Sequence, residues 1–374
     1  MENPLPKTRS AEFHWLKLAK KQRLTKNIFS LEFEIPHLLK ENYQFEAGQY
    51  VSLKYFSKGA VIQNDFSMTS APFEGKITLG IKISYDKSST RDLFENVEIG
   101  ELFEVSEPRG RFTLVSKPHE FRTIIGFAGG IGITPILSHF KNILHNEPRT
   151  RLFLFYGNKN QQEIPFKNEL DELILANPNR VEIQYFYSQE NVGNALFEGR
   201  LNDKKVALII NQFLLLDDTD EESTIWDAVD DVLICGKGDM IKSIANACYN
   251  HGIPKKNIHF ELFEEYNEDI YPLEKEFPLI ENIGVHFKMY NNMHDTELEN
   301  NKGKLLQQLL TQGFPVPYSC KSGICGTCEC ILEEGEVELL ENEYLTETEV
   351  NEGKILACMS IVMSKNIKVN FDIN

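Results

Sequence analysis

The chain has 374 residues, of which 41% are hydrophobic and 25% are charged, so two or three globular domains with real cores are expected. Its formal net charge of −17 argues against nucleic-acid binding, which needs clustered basic side chains. The sequence holds no apolar run long enough for a membrane span, and its first residues lack the apolar stretch of a secretory signal. We therefore expect a cytoplasmic protein whose seven cysteines serve as metal ligands or catalytic thiols.

The first part of the chain, to about residue 114, predicts an antiparallel β-barrel. Segments 27–35, 49–55 and 76–83 alternate apolar and polar residues at period two, and turn residues separate them. Short strands with little helical patterning are typical of a small barrel.

The middle part, from about residue 120 to 263, predicts alternating strands and helices. Strands are expected at 123–128, 151–156, 181–187 and 231–235, and helices at 135–144 and 165–177. Such a βαβ series indicates a parallel sheet with both faces covered. The acidic run 217–222 predicts an exposed loop, to which we assign no function.

The last part begins with a charged, proline-containing segment, 264–278, that is typical of a linker. Strands at 284–289 and 368–371 then flank a cysteine-rich loop. From Asn267 onward, nineteen acidic residues face eight basic ones, a balance of −11. This acidity fits either a solvated surface or a module that docks on a basic partner, and the charge alone does not choose between them.

Four cysteines have the spacing of a plant-type [2Fe–2S] site. Cys320, Cys325 and Cys328 follow the pattern C-x4-C-x2-C, and Cys358 lies further along the chain. Thiolates are the soft ligands that iron–sulfur clusters need, and Gly323 and Gly326 allow the loop to wrap closely around a cluster. A structural zinc site is the alternative, since C-x2-C is also a zinc half-site. A further cysteine, Cys330, is interpreted as a buried strand residue.

A glycine-rich turn over residues 127–135 lies where a predicted strand gives way to a helix. Thr134 suits the N-cap of that helix and Pro135 suits its first position. Glycines here let the backbone approach a pyrophosphate, whose charge is favoured at a helix N-terminus. The turn lacks the G-x-G-x-x-G fingerprint, and similar turns also use glycine for packing alone.

Together, in this order, the barrel, the glycine turn and the cysteine loop resemble the ferredoxin–NADP⁺ reductase superfamily, in the branch with a C-terminal plant-type ferredoxin domain. Within it, oxygenase reductases of the phenylacetyl-CoA epoxidase type are the most similar. The resemblance implies a multidomain α+β fold with a β-barrel flavin domain, an α/β nucleotide-binding domain with a parallel sheet, and a β-grasp ferredoxin domain. The implied boundaries are 1–116 for the barrel, 117–265 for the nucleotide domain, 266–282 for a linker and 283–374 for the ferredoxin.

The family's flavin motif Arg-x-Tyr-Ser stands here as Asn64-Asp65-Phe66-Ser67. The resemblance implies that Phe66 stacks on the isoalloxazine and that Ser67 hydrogen-bonds near its N5. Asn64 stands in place of the arginine that pairs with the flavin pyrophosphate.

Further flavin contacts are implied elsewhere in the chain. Ser89 and Thr90 match the family's second phosphate-binding segment, and Arg91 is a candidate for the missing positive charge. Glu261 and Phe263 match the acidic and aromatic residues that close the flavin site. FAD is favoured over FMN.

The nicotinamide nucleotide is implied to bind at the glycine turn, through Gly129, Gly130, Gly132 and Thr134. Cys235 and Gly236 match the Cys-Gly pair beside the nicotinamide ring. Ser188-Gln189 replaces the Ser-Arg with which many relatives hold the adenosine 2′-phosphate, so NADH and NADPH both stay open.

The implied function is an oxidoreductase that passes electrons from NAD(P)H through FAD and the [2Fe–2S] cluster to an oxygenase component or another acceptor protein. Ser67, Cys235 and Glu261 are the expected catalytic residues. One alternative is a reductase of a free ferredoxin or flavodoxin. Another is a non-enzymatic redox sensor, which the intact nucleotide turn disfavours because a sensor needs no hydride donor.

Overall fold

The structure is a computed structural model that describes residues 12–85, 88–213, 225–264, 266, 268–271, 275–318, 321, 323, 326–340, 342 and 344–372. The acidic run 217–222, Cys320 and Cys325 lie outside the described residues. The described chain forms two units, one ending at Phe263 and one beginning at Glu264.

Six antiparallel strands form the first sheet: β1 (Phe13–Thr25), β2 (Ile28–Glu34), β3 (Tyr50–Ser57), β4 (Ala60–Ser67), β5 (Lys76–Lys82) and β6 (Leu102–Ser106). Their order is β4-β3-β6-β1-β2-β5, and a bridge between Met68 and Leu79 joins the two outer strands into a barrel. Phe29, Leu31 and Phe33 of β2 are fully buried in its core, as the period-two pattern predicts. Helix α1 (Ser89–Asn96) follows β5.

Five strands form the parallel sheet of the same unit: β7 (Thr123–Gly129), β8 (Arg151–Asn158), β9 (Val181–Tyr187), β10 (Asp231–Gly236) and β11 (Ile258–Leu262). Four helices accompany them: α2 (Ile133–Asn146), α3 (Lys167–Ala176), α4 (Asp203–Phe213) and α5 (Gly238–Asn250). The order β11-β10-β7-β8-β9 reverses direction between β7 and β10. Open α/β sheets bind ligands at the carboxyl ends of the strands at such a switch point, so the fold itself locates a site.

The second unit holds the remaining elements: β12 (Glu281–Met289), β13 (Asn292–Asn300), α6 (Leu305–Thr311), β14 (Glu329–Glu334), β15 (Val337–Leu339), α7 (Glu347–Asn351), β16 (Lys354–Leu356), β17 (Ser360–Val362) and β18 (Asn366–Asn370). The main sheet has the order β13-β12-β18-β14-β16, with β12 and β18 parallel, and β15 pairs with β17. Leu305, Leu306 and Leu309 of α6 pack into the core over this sheet. This mixed sheet with its packed helix is the β-grasp arrangement that the resemblance implies.

The segment predicted as a linker contributes to the second unit where it is described. Ile270 and Tyr271 are buried, and the Asp269 carboxylate lies 3.5 Å from the Lys304 ammonium. Buried apolar side chains give this stretch a packing role, which its charged composition conceals in the sequence. In the part of the chain that the structure describes, no helix is both long enough and apolar enough to cross a bilayer.

Candidate functional site

The carboxyl end of β4 meets the carboxyl end of β11. Ser67, the last residue of β4, is buried, and its Oγ donates a hydrogen bond of 3.2 Å to Oε2 of Glu261 on β11. Cys235 of β10 pairs in register with Glu261 on one side and with Ala128 of β7 on the other. The three residues predicted to be catalytic therefore lie at one place, at the switch point of the parallel sheet.

Burial sets the protonation of this group. Desolvation raises the pKa of the Glu261 carboxyl to about 8, against the opposing effect of the Ser67 hydrogen bond. Burial first, and the nearby Glu261 charge second, raise the pKa of the Cys235 thiol well above its ordinary value. At neutral pH the carboxyl holds a proton and the thiol stays neutral, so Cys235 is suited to packing rather than to nucleophilic attack.

The glycine turn has no room for side chains at two of its three predicted positions. A Cβ on Gly132 would overlap the carbonyl oxygen of Cys235, and a Cβ on Gly129 would lie 2.9 Å from Met240 Sδ. A Cβ on Gly236 would meet the same sulfur at 2.9 Å. The ends of β7 and β10 thus approach closely beside the start of α2, the end of a parallel sheet at which such folds bind ligands.

Gly130 and Thr134 complete the turn. Gly130 has a φ of 55°, in the left-handed region that favours glycine, and its carbonyl accepts a hydrogen bond of 2.8 Å from Tyr156 Oη. The prediction that Thr134 caps the helix is wrong, because the N-cap of α2 is Gly132 and the helix begins at Ile133, two residues before the predicted start at Pro135. Thr134 Oγ1 instead donates to the Ile131 carbonyl at 3.1 Å, which stiffens the turn.

On the barrel side, Asn64 and Ser89 come together through a residue that the sequence did not single out. Tyr55 Oη donates to Asn64 Oδ1 at 2.8 Å and lies 2.9 Å from Ser89 Oγ. Ser89 and Thr90 form the first turn of α1, whose N-cap Ser88 accepts from Arg91 N at 3.3 Å. A helix N-terminus beside hydroxyl and amide groups is suited to a phosphate.

Two arginines lie near the predicted flavin motif. Arg91, the candidate for the missing charge, pairs with Glu95 along α1 at 3.3 Å. Arg109, which the sequence analysis missed, donates to Ser52 Oγ at 2.5 Å and lies 3.2 Å from Asp65 Oδ1. Arg109 follows β6 and joins β3 through a backbone bridge to Tyr50, a long-range pairing that no local motif reveals.

The remaining predicted residues lie at the edges of the site. Phe66 is half-buried and packs against the barrel core, whereas Phe263, just past β11, is 41% exposed. Ser188, just past β9, donates from its N and its Oγ to the Asn158 carbonyl at 2.9 and 3.3 Å. Two strands separate Ser188 from Cys235, so the structure does not bring it into the Ser67–Glu261 group.

In the second unit, the two described cysteines of the predicted cluster lie together. Cys328 and Cys358 are buried, and the Cys358 N–H donates to Cys328 Sγ at 3.3 Å. Gly326 has a φ of 65°, and a Cβ there would overlap the Tyr344 ring. Cys330 is buried on β14, and burial raises the pKa of its thiol.

The residues present fit the three implied groups. The carboxyl ends of β7 and β10 pack closely at the glycine turn, and nothing lies within 4 Å of a Cβ placed on Gly130, so there is open space beside the turn. A protonated carboxyl and a serine hydroxyl meet beside the barrel strand that carries the flavin motif. Soft thiol donors with a backbone N–H aimed at sulfur are the chemistry that an iron–sulfur cluster needs.

Three family models match the chain in succession. They are the oxidoreductase FAD-binding domain over residues 15–114, the oxidoreductase NAD-binding domain over 127–246 and the 2Fe-2S iron-sulfur cluster binding domain over 290–363. These matches agree with the predicted cofactors FAD, [2Fe–2S] and NAD(P)H.

Curated relatives match over nearly the whole chain. One subunit of 1,2-phenylacetyl-CoA epoxidase from Escherichia coli (strain K12) is 28% identical over 96% of this chain and 98% of its own length. The ferredoxin reductase component of 3-ketosteroid-9-alpha-monooxygenase from Rhodococcus rhodochrous is 26% identical over 91% and 92%.

The fold also matches an intact type IV self-sufficient cytochrome P450 monooxygenase, with a TM-score of 0.55 and 17% identity over 99% of this chain and 43% of that chain.

The protein is an oxidoreductase with FAD-binding, NAD-binding and [2Fe–2S] domains, homologous to reductase components of oxygenases. The three domain matches and the curated relatives agree with the resemblance to the ferredoxin–NADP⁺ reductase superfamily, in the branch that carries a C-terminal plant-type [2Fe–2S] ferredoxin domain.

Proposed function

We propose that this protein is the reductase component of an oxygenase system, which takes electrons from NADH or NADPH and delivers them singly to a partner protein. The observation that carries the proposal is the meeting of Ser67 with Glu261 and Cys235 at the switch point of the nucleotide sheet. It supports a site where a nicotinamide and a flavin face each other. FAD, when bound, accepts a hydride as two electrons and gives them up one at a time, and the [2Fe–2S] cluster carries single electrons.

The flavin-binding role is proposed for residues on the barrel. Phe66 offers a ring to the isoalloxazine, and Ser67 offers its hydroxyl beside it. The first turn of α1, with Ser89 and Thr90, holds phosphate oxygens by its N–H groups. Asn64 is fixed by Tyr55 next to that turn, so an amide stands where relatives have an arginine.

The nucleotide-binding role is proposed for Gly129, Gly130, Gly132, Thr134, Ser188 and Gly236, whereas Phe263 is proposed to close the flavin site. The tight approach of β7 and β10 orients the N–H groups of the turn toward a pyrophosphate. Neutral Cys235 packs at the end of β10 and excludes water there. Four thiolates, from Cys320, Cys325, Cys328 and Cys358, are proposed to hold the cluster.

Glu261 is proposed to manage a proton. Its carboxyl holds a proton at neutral pH because burial raises its pKa to about 8. That proton lies at the Glu261 carboxyl, 3.2 Å from Ser67 Oγ, where incoming electrons make the surroundings more negative. A carboxyl with a pKa near the working pH can give up and regain a proton readily.

The acceptor is proposed to be an oxygenase component. Both named relatives are parts of oxygenase systems and align over nearly the full length of this chain. The acidic excess of −11 beyond residue 266 supports docking of the ferredoxin module on a basic protein surface. The domain boundaries at 116, 265 and 282 and the location in the cytosol stay predictions.

The test uses protein with measured FAD, iron and sulfide and two artificial acceptors. Ferricyanide and cytochrome c should both be reduced with NADH or NADPH as the donor. The variant Cys358→Ser should keep most ferricyanide reduction, which needs the flavin alone, and lose most cytochrome c reduction. Absence of any turnover when both FAD and the cluster are loaded would favour the redox sensor. Faster reduction of a free ferredoxin or flavodoxin than of oxygenase components would favour a reductase of such a carrier.

A further inference from the structure

A row of polar side chains runs along α2 on the face that meets the barrel. Thr134, Ser138, Lys141 and His145 are spaced by four, three and four residues, which places them on one side of a helix. The amino-terminal end of this helix is the glycine turn proposed to bind the nucleotide. Its polar row therefore connects that turn to the barrel.

The middle of the row holds the backbone just beyond Ser67. Ser138 Oγ donates to the Ser70 carbonyl at 2.7 Å, and Lys141 Nζ donates to the Thr69 carbonyl at 3.0 Å. Both hydrogen bonds are buried. Because Thr69 and Ser70 follow Ser67 by two and three residues, α2 fixes the strand end that carries the proposed flavin contact.

Lys141 also joins three elements through charge. Its ammonium lies 3.3 Å from Glu74 Oε2 in the barrel and pairs with Glu169 on α3. The Lys141 side chain is only 9% exposed, and the Glu74 carboxylate also accepts from the Ala71 N–H at 2.6 Å. The Lys141 ammonium thus has one carboxylate partner on the barrel and another on α3.

Both ends of the row are seated on the barrel as well. A Cβ on Gly80 of β5 would lie 2.6 Å from Thr134 Cγ2, so glycine is needed for this approach. At the other end, the His145 ring stacks on Phe73 with centroids 4.1 Å apart. The helix therefore touches the barrel along its length rather than at one point.

Buried ion pairs add little net stability, because desolvation of the charges offsets their attraction. Directional bonds from one ammonium to a carbonyl and two carboxylates do, however, select one relative placement of the elements that carry them. A misplacement of about 1 Å between reacting groups can cost about a hundredfold in rate. Placement is therefore the property that Lys141 is best suited to control.

We propose that Lys141 is a positioning residue for hydride transfer, which sets the nucleotide turn at the start of α2 in register with the strand end at Ser67. The inference rests on the proposed function, in which NAD(P)H loses a hydride, two electrons with one proton, and leaves as NAD(P)⁺ while the flavin gains that hydride. Lys141 touches neither reactant in this account and acts through Thr69, Glu74 and α2.

The first measurement is hydrogen–deuterium exchange on the flavin-free protein. Lys141→Met should speed exchange in peptides over residues 68–75 and in α2 only. The matched control is Lys167→Met, which removes an ion pair with Asp171 that lies within α3. The control should leave residues 68–75 at the parent exchange rate.

The second measurement is stopped-flow reduction of the FAD-loaded protein by NADH and NADPH. Lys141→Met should lower the limiting rate per bound flavin about ten- to a hundredfold, with the nucleotide dissociation constant within about twofold of the parent. Lys141→Arg should restore most of the rate because it keeps the charge, and Lys167→Met should match the parent. If Lys141→Met does not fold, Ser138→Ala, which leaves the ion pairs in place, should lower the rate severalfold.

The outcomes separate the two proposals. A parent protein that neither nucleotide reduces would overturn the proposed function and, with it, this inference. A parent that is reduced normally, with Lys141→Met and Ser138→Ala equally fast, would overturn the positioning role alone. The positioning role would also be overturned by an equal loss of rate in Lys167→Met, or by faster hydrogen–deuterium exchange across all of residues 12–263. Either result would indicate general destabilisation.

Discussion

In the ferredoxin module, three of the four proposed ligands fall between Cys320 and Cys328, whereas the flavin–nucleotide site joins Ser67 and Glu261, which are 194 positions apart. A short loop can encode a metal site by spacing alone, because the cluster itself draws the ligands together. The flavin–nucleotide site depends on the placement of two sheets. Loss of one cysteine ligand should therefore remove most of the cluster, whereas substitutions at the flavin–nucleotide site should lower the rate of flavin reduction by graded amounts.

The largest effect is expected from loss of a cluster ligand. Cys358→Ser should remove most iron and sulfide from the purified protein, because a hydroxyl is a poor ligand in place of a thiolate. Iron and sulfide analysis with a visible spectrum checks this. Cys330→Ala is the matched control and should keep the cluster, since we interpret Cys330 as a buried strand residue. Full cluster content in Cys358→Ser would contradict the ligand set.

The next effect is expected at the glycine turn. Gly132→Ala would press a methyl group into the Cys235 carbonyl and push β7 and β10 apart. We expect NAD(P)H-dependent flavin reduction, measured by stopped-flow, to slow by about a hundredfold, the cost of a misplacement of about 1 Å. The control Gly157→Ala lies on the adjacent strand, where a Cβ would make an ordinary contact of 3.4 Å with Leu201. Similar losses in both variants would indicate a general effect on the sheet.

A smaller effect, and a gain rather than a loss, is expected when a positive charge is introduced beside Ser188. Gln189→Arg places a guanidinium beside Ser188, where many relatives hold the adenosine 2′-phosphate. We expect the ratio of kcat/KM for NADPH over NADH to rise about tenfold, because a charge-assisted hydrogen bond contributes about 1.5–3 kcal/mol. Steady-state kinetics with both nucleotides checks this. No change in the ratio would place the 2′-phosphate elsewhere.

The smallest effect is a pH dependence of stability. The folded-state pKa of Glu261, about 8, lies above the ordinary carboxyl value of 4.5, so the folded chain holds a proton that the unfolded chain releases. Raising the pH from 4.5 through 8 should therefore lower the free energy of unfolding. Glu261→Gln should lack this component. Urea unfolding of the flavin-free protein at pH 5 and pH 8.5 measures it, and equal pH slopes in both proteins would contradict the burial argument.

The sequence predicted the three-part architecture because each part has its own local period. Alternation at period two marks the barrel strands, and continuous apolar runs mark the parallel strands of the nucleotide sheet. The start of α2 was misplaced by two residues because Thr134 has the chemistry of a cap but uses its hydroxyl on the Ile131 carbonyl.

Other features of the site depend on contacts that no local pattern records. Tyr55 and Arg109 reach the flavin motif through pairing among β3, β4 and β6, and both look like ordinary barrel residues in the sequence. Ile270 and Tyr271 are buried in a segment whose charges suggested a linker. Neighbours supplied by the fold, rather than residue type, give these positions their roles.

The most direct test of the account is an anaerobic titration of the purified protein with NADH or NADPH, followed by visible absorption and electron paramagnetic resonance. Flavin, iron and sulfide should first be present in the ratio of one FAD to one [2Fe–2S] cluster. Added nucleotide should then bleach the flavin and produce the signal of a reduced [2Fe–2S] cluster in the same protein. A colourless protein containing zinc, or a cluster that stays oxidised while the flavin is reduced, would contradict it.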